Sequence, residues 1–272
     1  MFGKVCLVTG ATDGIGKETV RALAEAGAAV VGVGRNPAKI QAAMQDIGET
    51  PGSLEFLTAD LSSQAHIRML AEEFRRKYTR LDVLVNNAGA LFTSYRESID
   101  GIEMTFALNH LSYFLLTHLL LDLLIASAPS RIINVASDAH SGSQLNLEDP
   151  GNKRRYSGWD AYGDSKLANI LFTYELARRL AGTGVTVNAV HPGFVNSNFQ
   201  KAAGLNMRGP LSSKEGADTQ VWLATSEDVE GVNGKYFVRR HEAESSPESY
   251  NQEVARRLWK MSASIVGLPL ES

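Results

Sequence analysis

The chain has 272 residues, of which 44% are hydrophobic and 21% are charged. This composition is typical of a globular protein with a full core, and it excludes a disordered chain. The formal net charge of −3 argues against a protein held on nucleic acid by bulk positive charge. The single cysteine, Cys6, excludes an intramolecular disulfide and a multi-cysteine metal site, and its apolar neighbours predict a buried, unreactive thiol.

Seven short apolar runs recur along the chain, separated by stretches with helical periodicity. Continuous runs of this length are typical of strands that are buried on both faces of a parallel sheet. Alternating strands and helices predict right-handed crossover units, and therefore an α/β fold with one doubly wound parallel sheet of about seven strands and helices on both faces. The predicted strands are residues 5–8, 28–33, 54–57, 81–85, 132–135, 185–190 and 236–238.

The intervening helices and loops favour a single domain over residues 1–272, with a helical extension over 241–272. Long apolar helices are predicted over 111–125 and 167–180, and their bulk fits either the core or the interface of a homodimer or homotetramer. Two long connections, 138–160 and 194–213, are expected to frame a pocket.

No stretch of the sequence predicts a secretion signal or a membrane span. The apolar run at residues 5–8 is too short for a signal peptide. The most apolar segment, 107–126, contains Asn109, His110, His118 and Asp122, which disfavour a bilayer. We therefore expect a cytoplasmic protein without a transmembrane segment.

A glycine-rich turn follows the first predicted strand and opens the first helix. Glycine lets the backbone approach a pyrophosphate closely, and the helix directs free N–H groups at it. A phosphate-binding loop of a nucleotide triphosphatase is disfavoured, because five residues separate Gly10 from Gly16 and Glu18 stands where a hydroxyl is needed. The turn therefore predicts dinucleotide binding by Gly10, Thr12, Asp13, Gly14, Ile15 and Gly16.

The end of the second predicted strand bears on which dinucleotide is bound. An enzyme that uses NAD places an acid there for the ribose 2′-hydroxyl, whereas this chain has Arg35 and Asn36. A guanidinium binds a 2′-phosphate as a planar, permanently charged fork. These two residues predict NADP(H).

Tyr162 and Lys166 are four residues apart on a predicted helix and so share a face. The ordinary pKa of tyrosine, near 10, is too high for proton exchange at neutral pH. A neighbouring ammonium favours the phenolate, and together with a positive nicotinamide ring it is expected to lower the tyrosine pKa by about two to three units. The pair therefore predicts an acid–base catalyst.

Further motifs follow other predicted strands, and parallel strands direct their carboxyl ends to one crevice. The motifs are residues 9–16, Asp60–Leu61, 86–89, Asn109, Ser137, Tyr162, Lys166 and Pro192–Gly193. In this order they resemble the motifs of the short-chain dehydrogenase/reductase family, a single-domain Rossmann type, over about residues 3–238. Segments 166–172, 191–193, 215–217 and 234–237 are similar to its branch of retinol dehydrogenase-like, NADP-linked carbonyl reductases.

The resemblance implies a role for each motif. Tyr162 would be the general acid in reduction and the base in oxidation, and Lys166 would hold the nicotinamide ribose. Ser137 would donate a hydrogen bond to the substrate oxygen, and Asn109 would fix a water that supplies protons through Lys166. The remaining cofactor contacts would be Asp60 and Leu61 at the adenine, Asn87, Ala88 and Gly89 at the ribose, and Pro192, Gly193, Val195 and Ser197 at the carboxamide.

The sequence thus predicts an NADP(H)-dependent oxidoreductase that acts on an apolar carbonyl or alcohol, such as a retinal-like aldehyde or a ketone. The apolar residues of the two long loops favour that substrate class. The alternative is a non-catalytic NADP(H)-binding sensor or scaffold of the same fold. A metal enzyme is disfavoured because the six histidines are scattered. Asp138 and His140 flank Ser137, but no Gly-x-Ser-x-Gly motif accompanies them, which disfavours a hydrolase.

Overall fold

A single sheet forms the centre of the protein in the computed structural model, which describes residues 1–151, 153–196 and 209–269. Within these residues its strands are β1 (Val5–Thr9), β2 (Ala29–Gly34), β3 (Ser53–Thr58), β4 (Val83–Asn86), β5 (Ser130–Val135), β6 (Val185–His191), β7 (Tyr236–Val238) and β8 (His241–Glu242). Their order across the sheet is β3-β2-β1-β4-β5-β6-β7-β8. All neighbours pair in parallel except β7 and β8. The predicted doubly wound parallel sheet is confirmed.

The eighth strand was not expected from the sequence. β8 has two exposed residues, so it leaves no apolar run to detect. It pairs antiparallel with β7 through a tight turn in which Arg239 and Arg240 have φ angles of 50° and 62°. Positive φ angles at both central residues are typical of a two-residue hairpin, although glycine or asparagine is the usual occupant.

Helices cover both faces of the sheet. They are α1 (Gly14–Glu25), α2 (Pro37–Ile47), α3 (Gln64–Lys77), α4 (Met104–Phe106), α5 (Ser112–Leu119), α6 (Leu121–Ala126), α7 (Gly158–Arg179), α8 (Ser213–Thr225) and α9 (Gln252–Ile265). Alternate residues of β1 show the two layers. Val5 and Leu7 pack into the core under α3, α5, α7 and α9, whereas Cys6 and Val8 pack under α1 and α8. Cys6 is fully buried, and burial raises its thiol pKa to about 12, as expected of an unreactive cysteine.

The long helix predicted over 111–125 is interrupted in the structure. It begins earlier, at α4, widens into a π-helical turn over Ala107–Leu111, continues as α5 and breaks at Leu120 before α6. The π-turn carries Asn109, whose backbone oxygen accepts a hydrogen bond from Asn169 of α7. Apolar periodicity could not reveal this irregularity. Among the described residues, no helix has both the length and the apolarity to cross a membrane.

The segment after β8 packs against the domain. The sequence predicts a helical extension over 241–272, and the structure has there a 3₁₀ turn at Pro247–Tyr250 followed by α9. Leu258 and Trp259 of α9 are buried in the same core layer as α7.

Candidate active site

A crevice opens at the carboxyl ends of the central strands. β1 lies between β2 and β4, so the connections that leave β1 and β4 run in opposite directions, and such a reversal is where α/β sheets bind ligands. A residue of a predicted motif follows each of four central strands within two positions: Gly10 after β1, Asn87 after β4, Ser137 after β5 and Pro192 after β6. The structure therefore brings the predicted motifs to one edge of the sheet.

The glycine-rich turn forms a cradle with no room for side chains. A Cβ on Gly16 would lie 2.2 Å from the Gly10 carbonyl oxygen, and one on Gly10 would lie 2.8 Å from the Ala88 Cα. Gly10 and Gly14 also have positive φ angles, 65° and 53°. The first turn of α1 includes Ile15 and Gly16. The first backbone N–H groups of a helix have no carbonyl partner within the helix, so they can donate to a ligand. This geometry fits a pyrophosphate, as the sequence predicts.

The cradle is fastened to the end of β4 by hydrogen bonds. The Asn87 side-chain amide donates to the Thr9 carbonyl oxygen at 2.8 Å, and the backbone N–H groups of Asn87 and Ala88 donate to the Thr9 hydroxyl at 2.8 and 3.0 Å. Thr12 lies against the end of β2, since a Cβ on Gly34 would meet its methyl group at 2.3 Å. Asp13 caps α1 by accepting from the Gly14 N–H at 2.7 Å.

The end of β2 presents an exposed arginine. Arg35 is solvent-exposed, and no acidic side chain among the described residues forms a salt bridge with it. The Asn36 side chain caps α2 by accepting from the Ala38 N–H at 2.9 Å. Burial opposes ionisation of Asp60, but hydrogen bonds from Ser62 and the charge of Arg35 bring its pKa below the ordinary value. Leu61 is buried in the core.

Tyr162 and Lys166 meet on one face of α7, as predicted. The Lys166 Nζ lies 5.5 Å from the centre of the Tyr162 ring and donates to the Val135 carbonyl oxygen at 3.0 Å. Ser137 interacts with Tyr162 and lowers the pKa of its phenol, against the larger effect of burial. A Cβ on Gly89 would lie 3.5 Å from the Lys166 Nζ, so the loop after β4 closes over the lysine.

The pKa values of this pair differ from the sequence-based expectation. Burial raises the pKa of Tyr162 to about 12 and lowers the pKa of Lys166 to about 7. In the protein alone, burial outweighs the lowering by Ser137, and Lys166 is not among the groups that lower the pKa of Tyr162. The positive nicotinamide ring remains as the other source of the expected lowering.

Asn109 is buried next to this pair. Its side chain bonds both polar groups of the Ala90 backbone at 2.9 Å and donates to the Ser165 hydroxyl at 2.9 Å. Ser165 in turn donates to the Tyr162 carbonyl oxygen at 2.7 Å. Asn109 thus connects the loop after β4 to α7. Its partners on α7, Ser165 and Asn169, were not predicted as site residues, because no sequence motif marks them.

The turn after β5 brings Ser137 together with Asp138 and His191, neither of which the sequence analysis predicted as a site residue. The Ser137 hydroxyl donates to the Asp138 carboxylate at 3.1 Å, and the Asp138 N–H donates to His191 Nδ1 at 3.2 Å. His140 contacts the Ser137 carbonyl oxygen at 2.6 Å rather than its hydroxyl. His140 is therefore not placed to activate Ser137 as a hydrolase nucleophile, in agreement with the sequence analysis.

The segment after β6 runs along the same crevice. Gly193 has a φ angle of 86°, and Val195 is buried and bridges to Leu211. A Cβ on Gly216 of α8 would lie 2.4 Å from a Val195 methyl carbon, so Val195 packs closely on that helix. Ser197 lies outside the described residues, as do Phe199, Leu205 and Met207 of the predicted pocket loop. Among the described residues, no three His, Cys, Asp or Glu side chains are grouped to hold a metal ion.

Comparison with known proteins decides the family. The family model described as short chain dehydrogenase matches residues 4–207. Mouse retinol dehydrogenase 14 is 41% identical over 295 residues, covering 98% of this chain and 87% of that protein. The chain belongs to the short-chain dehydrogenase family.

Solved structures agree with this assignment. An uncharacterized protein from Mycobacterium paratuberculosis superposes with a TM-score of 0.84 at 31% identity, covering 100% of this chain and 96% of that one. Pseudomonas aeruginosa RhlG, in an active-site complex with NADP, superposes with a TM-score of 0.72 at 30% identity, covering 87% and 94%. This short-chain dehydrogenase is therefore a retinol dehydrogenase-like oxidoreductase that uses a nicotinamide cofactor and acts on a small molecule.

Proposed function

We propose that this short-chain dehydrogenase is an NADP(H)-dependent oxidoreductase that interconverts apolar carbonyl compounds and alcohols, with Tyr162 as the acid–base group. The observation that carries the proposal is the contact of Tyr162 with both Lys166 and Ser137, at the sheet edge that also bears the glycine cradle. A pure binding module has no need of these side chains.

In this mechanism the nicotinamide supplies or accepts a hydride. Tyr162 donates a proton to the substrate oxygen during reduction, so the carbonyl group becomes an alcohol. Ser137 donates a hydrogen bond to the same oxygen, where negative charge develops. Lys166 binds the ribose and, with its pKa near 7, can give up and regain a proton at neutral pH. Asn109 holds the water through which that proton is replaced.

The proposal includes the cofactor contacts that the sequence predicts. The cradle and the first turn of α1 bind the pyrophosphate, and Asn87, Ala88 and Gly89 line the ribose. Asp60 and Leu61 flank the adenine, although the buried side chain of Leu61 leaves its backbone as the contact. Pro192, Gly193 and Val195 would hold the carboxamide, and the sequence adds Ser197 to them.

The apolar substrate class is supported by the side chains around the crevice. Trp159 makes an edge contact with Tyr162 at 6.3 Å between ring centres, yet 49% of it remains exposed. Phe194, directly after the Pro192–Gly193 turn, is 43% exposed. Large exposed aromatic groups beside a reaction site favour an apolar ligand. The similarity to retinol dehydrogenases favours a retinal-like aldehyde or the corresponding alcohol among such substrates.

NADP(H) is favoured by the exposed Arg35, whose guanidinium is available for a 2′-phosphate. We expect Arg35→Glu to weaken NADPH binding by about tenfold to a hundredfold, because charged hydrogen bonds contribute about 1.5–3 kcal/mol and repulsion is added. NADH binding should change little. Titration of both cofactors measures the effect, and Arg257→Glu, an equal charge change on exposed α9, is the control. Equal losses for NADPH and NADH would contradict the preference.

Turnover of a carbonyl panel with NADPH tests the proposal as a whole. We expect apolar aldehydes, retinal among them, to exceed small sugars and keto acids in kcat/KM by at least about tenfold. Faster turnover of the polar compounds would overturn the apolar class. NADPH binding without turnover of any member would overturn the enzyme assignment and support the non-catalytic sensor or scaffold.

A further inference from the structure

Asn169 of α7 is fully buried beside the hydrogen-bond acceptor of Lys166, and the mechanism so far gives it no role. Its side-chain nitrogen donates to the Asn109 carbonyl oxygen at 2.9 Å and to the Val135 carbonyl oxygen at 3.4 Å. Lys166 Nζ donates to the same Val135 oxygen at 3.0 Å. One amide group therefore joins the end of β5, which holds Lys166, to the π-helical turn that carries Asn109.

The partners of the Asn169 amide determine its orientation. The nitrogen of an amide side chain carries two protons, whereas the oxygen can only accept. The nitrogen must therefore face the carbonyl oxygens of Asn109 and Val135, because the reversed amide would place oxygen against oxygen. The side-chain oxygen then faces His110, whose Nδ1 lies 3.3 Å away.

His110 supports this orientation through the position of its proton. Since Asn169 Oδ1 can only accept, His110 Nδ1 must carry the N–H. Nε2 is then the acceptor for the Ser262 hydroxyl at 2.9 Å. The imidazole is fully buried, and burial lowers its pKa to about 4, which agrees with a neutral ring. His110 thus holds the Asn169 amide in a single orientation.

We propose that Asn169 is a positioning residue for Lys166: it holds the carbonyl acceptor of the lysine and the π-helical turn at a fixed separation, and it is itself oriented by His110. The inference rests on the proposed function, in which Lys166 binds the ribose and exchanges a proton beside Tyr162. A lysine side chain is long and flexible, so a fixed acceptor is needed to keep Nζ in place. A displacement of about 1 Å at a reacting group can lower a rate by about a hundredfold.

Asn169→Leu tests the proposal, because it removes the amide and keeps the branched shape of the side chain. At saturating NADPH, kcat for carbonyl reduction should fall by about tenfold to a hundredfold, since the acceptor of Lys166 is no longer fixed. NADPH affinity, measured by titration, should fall much less, because the glycine cradle and Arg35 are unchanged. An unchanged kcat, or equal losses of kcat and NADPH affinity, would overturn the proposal.

Asn188→Leu is the matched control for a purely structural effect. Asn188 of β6 is also buried, and its side chain donates to the Val232 carbonyl oxygen at 2.7 Å and accepts from the Lys235 N–H at 3.0 Å. It pairs with Ile133, which packs under α1 and α8, so its side chain lies on the face of the sheet opposite α7. Both variants should unfold at lower denaturant concentration, but only Asn169→Leu should lose kcat. An equal loss of kcat in the control would overturn the positioning role.

Variants of His110 test how the amide is oriented. His110→Asn places an amide N–H about where Nδ1 lies, and it should keep most of kcat. The amide of His110→Gln reaches the Nε2 position next to Ser262 instead, so this variant should lose kcat as His110→Leu does. The double variant with Asn169→Leu should lose no more than Asn169→Leu alone, since the histidine acts through the asparagine. Any other order among the three single variants would overturn the orienting role of His110.

Nitrogen NMR of the His110 imidazole gives a readout that does not depend on turnover. In the unaltered protein at neutral pH, Nδ1 should be protonated and Nε2 bare. In Asn169→Leu the proton should move to Nε2, because the Ser262 hydroxyl is then the remaining acceptor. If no carbonyl is reduced, the proposed function fails, whereas the tautomer still decides whether the Asn169 amide faces Val135 and Asn109. A proton on Nε2 in the unaltered protein would overturn the inference.

Discussion

Tyr162→Phe is expected to lower kcat/KM for carbonyl reduction by about 10²–10⁴-fold, the range that general acid catalysis contributes. The change removes one hydroxyl group and keeps the ring that contacts Lys166 and Trp159. NADPH affinity should therefore stay nearly the same, because the cradle and Arg35 are untouched. Steady-state kinetics and cofactor titration on the same preparation separate the two effects.

Tyr95→Phe is the matched control for this loss. Its hydroxyl donates to Glu97 at 2.8 Å in an exposed hydrogen bond, so the same atom is removed while the contacts of Tyr162 with Lys166 and Trp159 stay intact. Its kcat/KM should remain that of the unaltered protein. Turnover by Tyr162→Phe within about tenfold of the original would show that another group supplies the proton.

Phe114→Ala is expected to destabilise the fold by about 3–5 kcal/mol, as measured by denaturant unfolding. Phe114 of α5 is fully buried in a cluster of rings, with centre-to-centre distances of 4.2 Å to His118, 5.1 Å to Trp259 and 5.3 Å to Phe172. Removing it leaves a cavity where α5, α7 and α9 meet. This loss is a large part of the total stability of about 5–15 kcal/mol that is usual for such a domain.

Ile99→Ala provides the comparison, because Ile99 is 87% exposed. Its replacement should change the free energy of unfolding by less than about 0.5 kcal/mol. A loss of less than about 1 kcal/mol in Phe114→Ala would indicate that the aromatic cluster relaxes into the space.

The regular parts of the fold could be predicted because buried parallel strands leave continuous apolar runs. β8 escaped prediction since a two-residue exposed strand has no such pattern. The π-turn at Asn109 escaped for a different reason. The backbone oxygen of Asn109 accepts a hydrogen bond from Asn169, sixty positions further along the chain. The local pattern of apolar residues cannot predict a partner at that separation.

The site was predictable where spacing alone determines position, as for Tyr162 and Lys166 on one helix face. The direction in which the tyrosine pKa shifts was not predictable. It depends on how deeply the Tyr162 and Lys166 side chains are buried, and burial is the main cause of the shift in both pKa values. In the sequence, Asp138 is only a neighbour of Ser137. Its bond to His191 joins the ends of β5 and β6, and only the folded sheet brings those ends together.

The last helix has a consequence for exchanging segments between relatives of this protein. Ser262 of α9 bonds His110 Nε2 at 2.9 Å, and His110 Nδ1 lies 3.3 Å from the Asn169 side-chain oxygen. Asn169 in turn donates to the Asn109 carbonyl oxygen. A chimera that keeps the π-helical turn and α7 but takes α9 from another parent would leave the buried imidazole of His110 without its hydroxyl partner unless that parent also has serine there. Crossover points in recombined libraries should therefore keep the π-helical turn, α7 and α9 from the same parent.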